Sequence, residues 1–130
     1  MTLPAASSLL SAEPDQRAAE LLARAVEMIP NLRARERAAI QQGQIPSETV
    51  DDFMRAGLFR VLQPTRYGGY ELPPEVYFNI ARTLAEGCMS SAWVYAVLAV
   101  HNWQLALFDD RAAQEVWASD PDAARRQSCG

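Results

Sequence analysis

The amino-acid sequence predicts an all-α protein, a bundle of about five helices. Apolar residues recur at intervals of three and four over most of the chain. Glycines and prolines divide these stretches into separate segments, and no series of alternating apolar and polar residues indicates a set of strands. With 130 residues, 49% of them hydrophobic and 22% charged, the chain has the size and composition of one folded domain.

The first helix is predicted from Glu13 to Gln42 and is amphipathic. Pro14 suits a position in the first turn, Pro30 is expected to kink the helix or split it in two, and Gly43 ends it. Its apolar stripe comprises Leu21, Ala25, Met28, Leu32 and Ile40, and the charged residues expected to face elsewhere are Arg17, Glu20, Arg24, Glu27 and Arg37.

A second, shorter helix is predicted to begin within residues 45–48 and to stop at Gly57, a residue suited to a left-handed C-terminal position. Val50, Phe53 and Met54 form its apolar face.

The segment between the second and third helices is predicted to be non-helical. Residues 58–63 are expected to run extended into Pro64, because the residue before a proline avoids the helical region. Gly68 and Gly69 then mark a tight turn. No GxGxxG or GxxxxGK pattern surrounds these glycines, which favours a structural turn over a phosphate-binding loop.

The third helix is predicted to begin near Pro73 or Pro74 and to be broken by Gly87. The residues expected to be buried on it are Tyr77, Ile80, Ala81 and Leu84. Ser90 or Ser91 can cap the fourth helix, which runs to about Phe108 and is apolar on nearly every side. The fourth helix is therefore expected to be buried at the centre of the bundle.

A fifth helix is predicted over residues 111–118, capped by Asp109 or Asp110, with Val116 and Trp117 on its inner face. The domain boundaries follow from these elements. We expect a flexible leader over residues 1–12, a helical domain over residues 13–118, and a frayed tail over residues 119–130, where no periodic apolar face is present.

Charge, hydropathy and cysteine content restrict the possible partners and location. The formal net charge of -4 gives no reason to expect binding to nucleic acid or to anionic membranes. The longest apolar stretch, residues 92–100, is about half of the roughly 20 residues that cross a bilayer. Cys88 and Cys129 lie far apart without metal-ligand spacing, so reduced thiols in a cytoplasm are expected and a metal site is not.

Two kinds of residue are candidates for chemistry. His101 is the only histidine, and its imidazole is a candidate general acid or base; the alternative is a hydrogen-bonded core residue. Trp93, Trp103 and Trp117 suit either stacking on a planar aromatic ligand or packing in the core, and pattern alone leaves both open.

Two segments resemble a known family. Residues 57–69 (GLFRVLQPTRYGG) and 87–93 (GCMSSAW) are similar to the N-terminal helical domain of acyl-CoA dehydrogenases, and the match extends from about Glu20 to Asp120. Residues 100–109 (VHNWQLALFD) and 115–117 (EVW) are most similar to the oxygenase components of two-component flavin-dependent monooxygenases, including the branch that hydroxylates a phenolic secosteroid.

The resemblance implies an enzyme that takes reduced FMN from a separate flavin reductase and uses O2 to hydroxylate an aromatic, phenolic substrate, which is steroid-derived in the secosteroid branch. It implies that Trp93 contacts the flavin and that His101 and Asn102 border the substrate cavity, with His101 the candidate catalytic residue. It also implies a homotetramer for the full-length form.

The ending of the chain departs from the resemblance. After residues 120–122 relatives continue into a β-domain, whereas this sequence reads AARRQSCG, so a truncated or frameshifted chain that binds FMN poorly and does not hydroxylate is expected. One alternative is a fragment of an FAD-dependent acyl-CoA dehydrogenase, against which the block His101–Trp103 weighs. A second alternative is a non-catalytic helical interaction module.

Overall fold

The computed structural model describes residues 9–123, which form five α-helices and no β-strand. The helices are α1 (Pro14–Gln42), α2 (Ser47–Arg55), α3 (Pro74–Ala85), α4 (Met89–Ala106) and α5 (Asp110–Trp117). Two single-turn 3₁₀ helices, Leu58–Arg60 and Thr65–Tyr67, lie between α2 and α3. The prediction of an all-α protein with about five helices is confirmed.

Helix α1 is continuous over 29 residues. It passes through Pro30 without interruption, so of the two expected effects of this proline, a kink or a split, the split does not occur. The flanking helix and its tertiary contacts outweigh the one backbone hydrogen bond that a proline removes. Pro14 lies in the first turn and Gly43 ends the helix in the left-handed region, as predicted.

Two arginines of α1 face the interior, contrary to the prediction. Arg17 is 8% exposed and donates hydrogen bonds to the carbonyl oxygens of Leu9 at 2.8 Å and Tyr70 at 3.1 Å. Arg24 is 3% exposed and donates to the carbonyl oxygen of Ala56 at 3.0 Å. Burial is tolerated because backbone carbonyls satisfy these guanidinium groups while the apolar stems pack.

The N-terminal segment that the structure describes, residues 9–12, lies against α1. Leu9 is buried, and Arg17 also donates to the carbonyl oxygens of Leu10 and Ala12. The remainder of the expected leader, residues 1–8, lies outside the described residues.

The core lies where α4 packs against α3, α1 and the first 3₁₀ helix. The rings of Phe53, Phe59 and Tyr95 contact one another there, with centroids 5.7 to 6.1 Å apart. Ile40, predicted to belong to the apolar stripe, is 71% exposed, because the last turn of α1 extends beyond this core.

Residues 58–72 form a compact loop, so the expected extended run over 58–63 is wrong. The first part is a 3₁₀ turn, and the backbone N–H groups of Tyr70 and Leu72 donate to the carbonyls of Arg60 and Val61, each at 2.8 Å. These hydrogen bonds hold residues 58–61 in a turn, and the preference for extended backbone before Pro64 concerns Gln63 alone.

The predicted N-cap is absent from α4 and present in α5. Helix α4 begins at Met89 with Cys88 as its N-cap and no side-chain cap, so the predicted serine cap is wrong. Helix α5 has the predicted cap, because the carboxylate of Asp109 accepts a hydrogen bond from the N–H of Arg111 at 3.0 Å. This hydrogen bond, with a further one from the Arg111 side chain, lowers the pKa of Asp109.

Residues 119–123 pack on the loop. Arg60 lies 3.2 Å from both carboxylate oxygens of Asp122, and the Gln63 amide donates to the carbonyl oxygen of Pro121 at 3.0 Å. The rest of the expected frayed tail, residues 124–130, lies outside the described residues.

Candidate functional site

Helix α4 has one buried side and one exposed side. At about 100° per residue, the two sets of side chains occupy opposite arcs of the helix. The buried residues are Ser91, Ala92, Tyr95, Ala99 and Asn102, and the exposed residues include Met89, Ser90, Trp93, Val97 and His101. Helix α4 has the expected central place, since several other elements pack on it, but its apolar residues are not all buried, because the other described helices cover only one side of it.

Trp93 is 69% exposed, an unusual position for a tryptophan in a helix that forms the core elsewhere. Its ring lines an open groove of about 570 Å³ between the end of α1 and the first half of α4. The groove is lined by Ala39, Ile40, Gly43, Gln44, Ile45, Met89, Ser90, Trp93 and Val94. It presents an apolar surface bordered by a few polar groups, as sites for small aromatic ligands do.

His101 lies on the same side of α4 as Trp93, about 12 Å further along the axis. Its side chain is exposed, and Nδ1 lies 2.9 Å from the Oε1 atom of Gln104. The alternative of a buried core histidine is therefore wrong. Val97, 37% exposed, lies between the two and makes the face continuous.

Asn102 lies on the opposite side of α4. It is 4% exposed, and its Nδ2 atom donates to the carbonyl oxygen of Phe59 at 2.7 Å. His101 is exposed and Asn102 is buried, and adjacent residues of a helix are rotated by about 100°, so the two side chains lie on different sides of α4. The structure thus brings Trp93 and His101 onto one face and directs Asn102 away from it.

The other two tryptophans have different environments. Trp117 is 1% exposed, and its ring centroid lies 5.3 Å from that of Tyr67. Trp103 is 42% exposed near the end of α4. Core packing therefore accounts for Trp117 but not for Trp93.

Within residues 9–123, acidic, histidine and cysteine side chains do not gather in groups of three or more that would suit a metal ion. No helix in this part of the chain has the length and apolar character needed to cross a membrane.

Comparison with known families gives a match over most of the chain. Residues 14–119 match the model described as "Acyl-CoA dehydrogenase, N-terminal domain". The chain belongs to this family. The match begins at the first residue of α1 and ends two residues after α5, so all five helices belong to the family domain.

The chain is also similar to the oxygenase components of a flavin-dependent monooxygenase and of a hydroxylase. It is 41% identical over 107 residues to the flavin-dependent monooxygenase, oxygenase subunit HsaA, of Mycobacterium tuberculosis, covering 82% of this chain and 27% of that protein. It is 31% identical to p-hydroxyphenylacetate 3-hydroxylase, oxygenase component, of Acinetobacter baumannii, covering 88% of this chain and 27% of that protein.

A solved structure shows the same likeness. The crystal structure of the HsaA monooxygenase from M. tuberculosis matches with a TM-score of 0.77 and 41% identity, over 80% of this chain and 29% of that one. The chain thus spans about a quarter of the length of the relatives that it matches.

Proposed function

We propose that this chain forms one wall of the flavin and substrate site of a monooxygenase that hydroxylates an aromatic, phenolic substrate with reduced FMN and O2. One observation supports this above others: Trp93 and His101 are exposed on one face of α4. The similarity to two flavin-linked hydroxylases supports the class of reaction, and phenolic substrates are suggested by the name of the p-hydroxyphenylacetate enzyme.

The groove beside Trp93 suits the ring system of a flavin and not its phosphate. Its lining is mostly apolar and includes one exposed indole, but it contains no arginine or lysine. The phosphate of FMN would therefore have to be bound by residues outside the groove. We accordingly expect weak binding of reduced FMN by the 130-residue chain alone and no hydroxylation.

Each exposed residue of the face has a role in the proposal. The indole of Trp93 would stack on the flavin ring. Val97, which lies between Trp93 and His101, would exclude water from the face. The imidazole of His101 binds the phenol and acts as the candidate general acid or base. The flavin, when bound, supplies the redox chemistry.

The proposal extends to partners and location. A separate flavin reductase supplies the reduced FMN, and reduced FAD is the alternative form of the cofactor. We also propose a cytoplasmic location, and assembly of the full-length form as a homotetramer. Support for these parts comes from the resemblance in residues 100–109 and 115–117, not from the geometry of α4.

An anaerobic titration of the purified chain with reduced FMN, followed by tryptophan fluorescence, tests the proposal. We expect weak, saturable quenching that is lost in Trp93→Ala and retained in the control Trp103→Phe. Reduced FAD, titrated in parallel, tests the choice of cofactor. Equal quenching in the wild type and in Trp93→Ala would contradict the assignment of Trp93.

A further inference from the structure

We infer that Tyr95 and Asn102 are positioning residues that fix the rotation of α4 about its axis, so that Trp93 and His101 are held on the outer face. Neither of the two positioning residues touches the face itself. The identity of the ligand that this face binds rests on the proposed function. The inference that the two residues fix the rotation of α4 is independent of it.

Both side chains bond to the same short turn. The hydroxyl of Tyr95 donates to the carbonyl oxygen of Leu58 at 3.1 Å, and Nδ2 of Asn102 donates to the carbonyl oxygen of Phe59 at 2.7 Å. Tyr95 is 0% exposed and Asn102 is 4% exposed, so water does not compete for either hydrogen bond. The two donors are seven residues apart on α4 and converge on adjacent carbonyls of one 3₁₀ helix.

The turn that accepts these hydrogen bonds is itself fixed. Arg60, its last residue, donates to the carbonyl oxygen of Gly68 at 3.2 Å and pairs with Asp122. The N–H of Tyr70 donates to the carbonyl oxygen of Arg60 at 2.8 Å. The hydrogen bonds from Tyr95 and Asn102 therefore attach α4 to a turn that other hydrogen bonds already hold in place.

Packing restrains α4 chiefly through the ring of Tyr95, which contacts Phe53 and Phe59, and the hydroxyl of Tyr77 on α3 also donates to the carbonyl oxygen of Ala96 at 2.9 Å. The other buried residues of α4 add little restraint by shape. Ser91, Ala92 and Ala99 are small, and small side chains leave a smooth surface that resists sliding and rotation weakly. Hydrogen bonds are directional and weaken steeply when their angles change. The two polar contacts thus supply the specificity that the small residues lack.

Side chains lie at set angles around a helix, so restraining the buried side of α4 also sets where its exposed side chains lie. Asn102 and Trp93 are nine residues apart, which places them about 180° apart around the axis. A rotation of about 20° would move an exposed side chain at the outer radius of the helix by roughly 2 Å. Displacements of about 1 Å are enough to impair a positioned binding or catalytic group.

The test uses ¹⁹F NMR of the full chain labelled with 5-fluorotryptophan, with the Trp93 signal assigned by Trp93→Phe. The variants Tyr95→Phe and Asn102→Leu remove one hydrogen bond each and keep nearly the same volume. We expect the Trp93 signal to move by more than its linewidth or to split in both variants. The control Thr83→Val removes a hydrogen bond to the carbonyl oxygen of Asn79 within α3, which involves neither α4 nor the turn, and is expected to leave the Trp93 signal in place.

A Trp93 signal that superimposes on the wild type in both variants would overturn the inference. Equal movement in the Thr83→Val control would also overturn it, because a general effect of substitution would then explain the change. The same variants titrated with reduced FMN separate this inference from the proposed function. If the wild type binds reduced FMN and both variants bind it about tenfold more weakly, the result supports both the positioning inference and the proposed function. If the wild type does not bind, only the proposed function is contradicted.

Discussion

The backbone at Gly69 passes so close to Gln63 that a Cβ atom placed there would lie 2.0 Å from the Gln63 carbonyl oxygen. Neither backbone can move freely, because the N–H of Glu71 also donates to that oxygen at 3.0 Å. Gly69→Ala is therefore expected to lower the free energy of unfolding by about 3 kcal/mol or more. Urea unfolding followed by circular dichroism measures the change.

Gly43 provides the matched control. It lies in the left-handed region with φ of 67°, but a Cβ atom there would meet nothing within 4 Å. Gly43→Ala is expected to cost only about 1 kcal/mol, from backbone strain alone. Similar losses in the two variants would show that the contact with Gln63 is not what requires a glycine in the loop.

Buried tyrosines predict how stability depends on pH. Burial raises the pKa of Tyr95, Tyr70 and Tyr77 in the folded state, whereas an unfolded tyrosine titrates near pH 10. Stability from these groups is thus complete below about pH 10 and is lost as the pH rises from there toward the folded pKa values. Urea midpoints are expected to be constant between about pH 7 and 9 and to fall above about pH 10.

Tyr95→Phe tests the contribution of one hydroxyl to that dependence. The variant is expected to be less stable near neutral pH, because the carbonyl of Leu58 loses its donor. Its alkaline loss of stability is expected to be shallower than that of the wild type. An identical slope would mean that Tyr95 does not titrate differently in the folded and unfolded states.

Two tryptophans on neighbouring helices test whether the outer side of α4 contributes to the fold. Trp93 is 69% exposed and Trp117 on α5 is 1% exposed. Trp117→Ala is expected to cost about 3–5 kcal/mol, whereas Trp93→Ala is expected to change stability by no more than about 0.5 kcal/mol. Thermal melts of both variants compare them; a large loss in Trp93→Ala would show that its ring packs within the domain.

Sequence periodicity locates the helices best where a boundary has a local cause. Gly43 adopts a left-handed conformation at the end of α1, and Asp109 caps α5 through its own carboxylate. The conformation of residues 58–63 could not be predicted in this way, because their turn is stabilised by hydrogen bonds to residues 70–72. No local sequence pattern indicates these hydrogen bonds. The start of α4 at Met89 also lacks a side-chain cap that sequence can show.

The candidate site follows from the sequence only in part. Composition makes α4 apolar on most sides, but it does not show which of those sides the other helices cover. The resemblance in residues 100–109 selects His101 and Asn102 together, whereas the rotation of the helix separates them. Arg17 and Arg24 show the same limit, since only tertiary structure provides the carbonyls that make their burial possible.

At the scale of the whole molecule, exposed apolar side chains are concentrated on and near α4. Besides Trp93 and Val97 they include Ile40, Leu107 and Phe108. Contiguous apolar surface of this kind marks a site of interaction. The chain spans about a quarter of the length of its relatives. The proposal that this surface forms one wall of a flavin site accounts for its exposure in so short a chain.

The most direct test is an anaerobic titration of the ¹⁵N-labelled chain with reduced FMN, observed by two-dimensional NMR, which detects weak binding. We predict concentration-dependent shifts of the indole N–H of Trp93 and of backbone amides along the exposed face from Met89 to His101, with the indole N–H of Trp117 unchanged as an internal control. No shift at saturating flavin, or shifts centred on Trp117 and the loop over residues 58–72, would contradict the assignment of the α4 face as a wall of the flavin site.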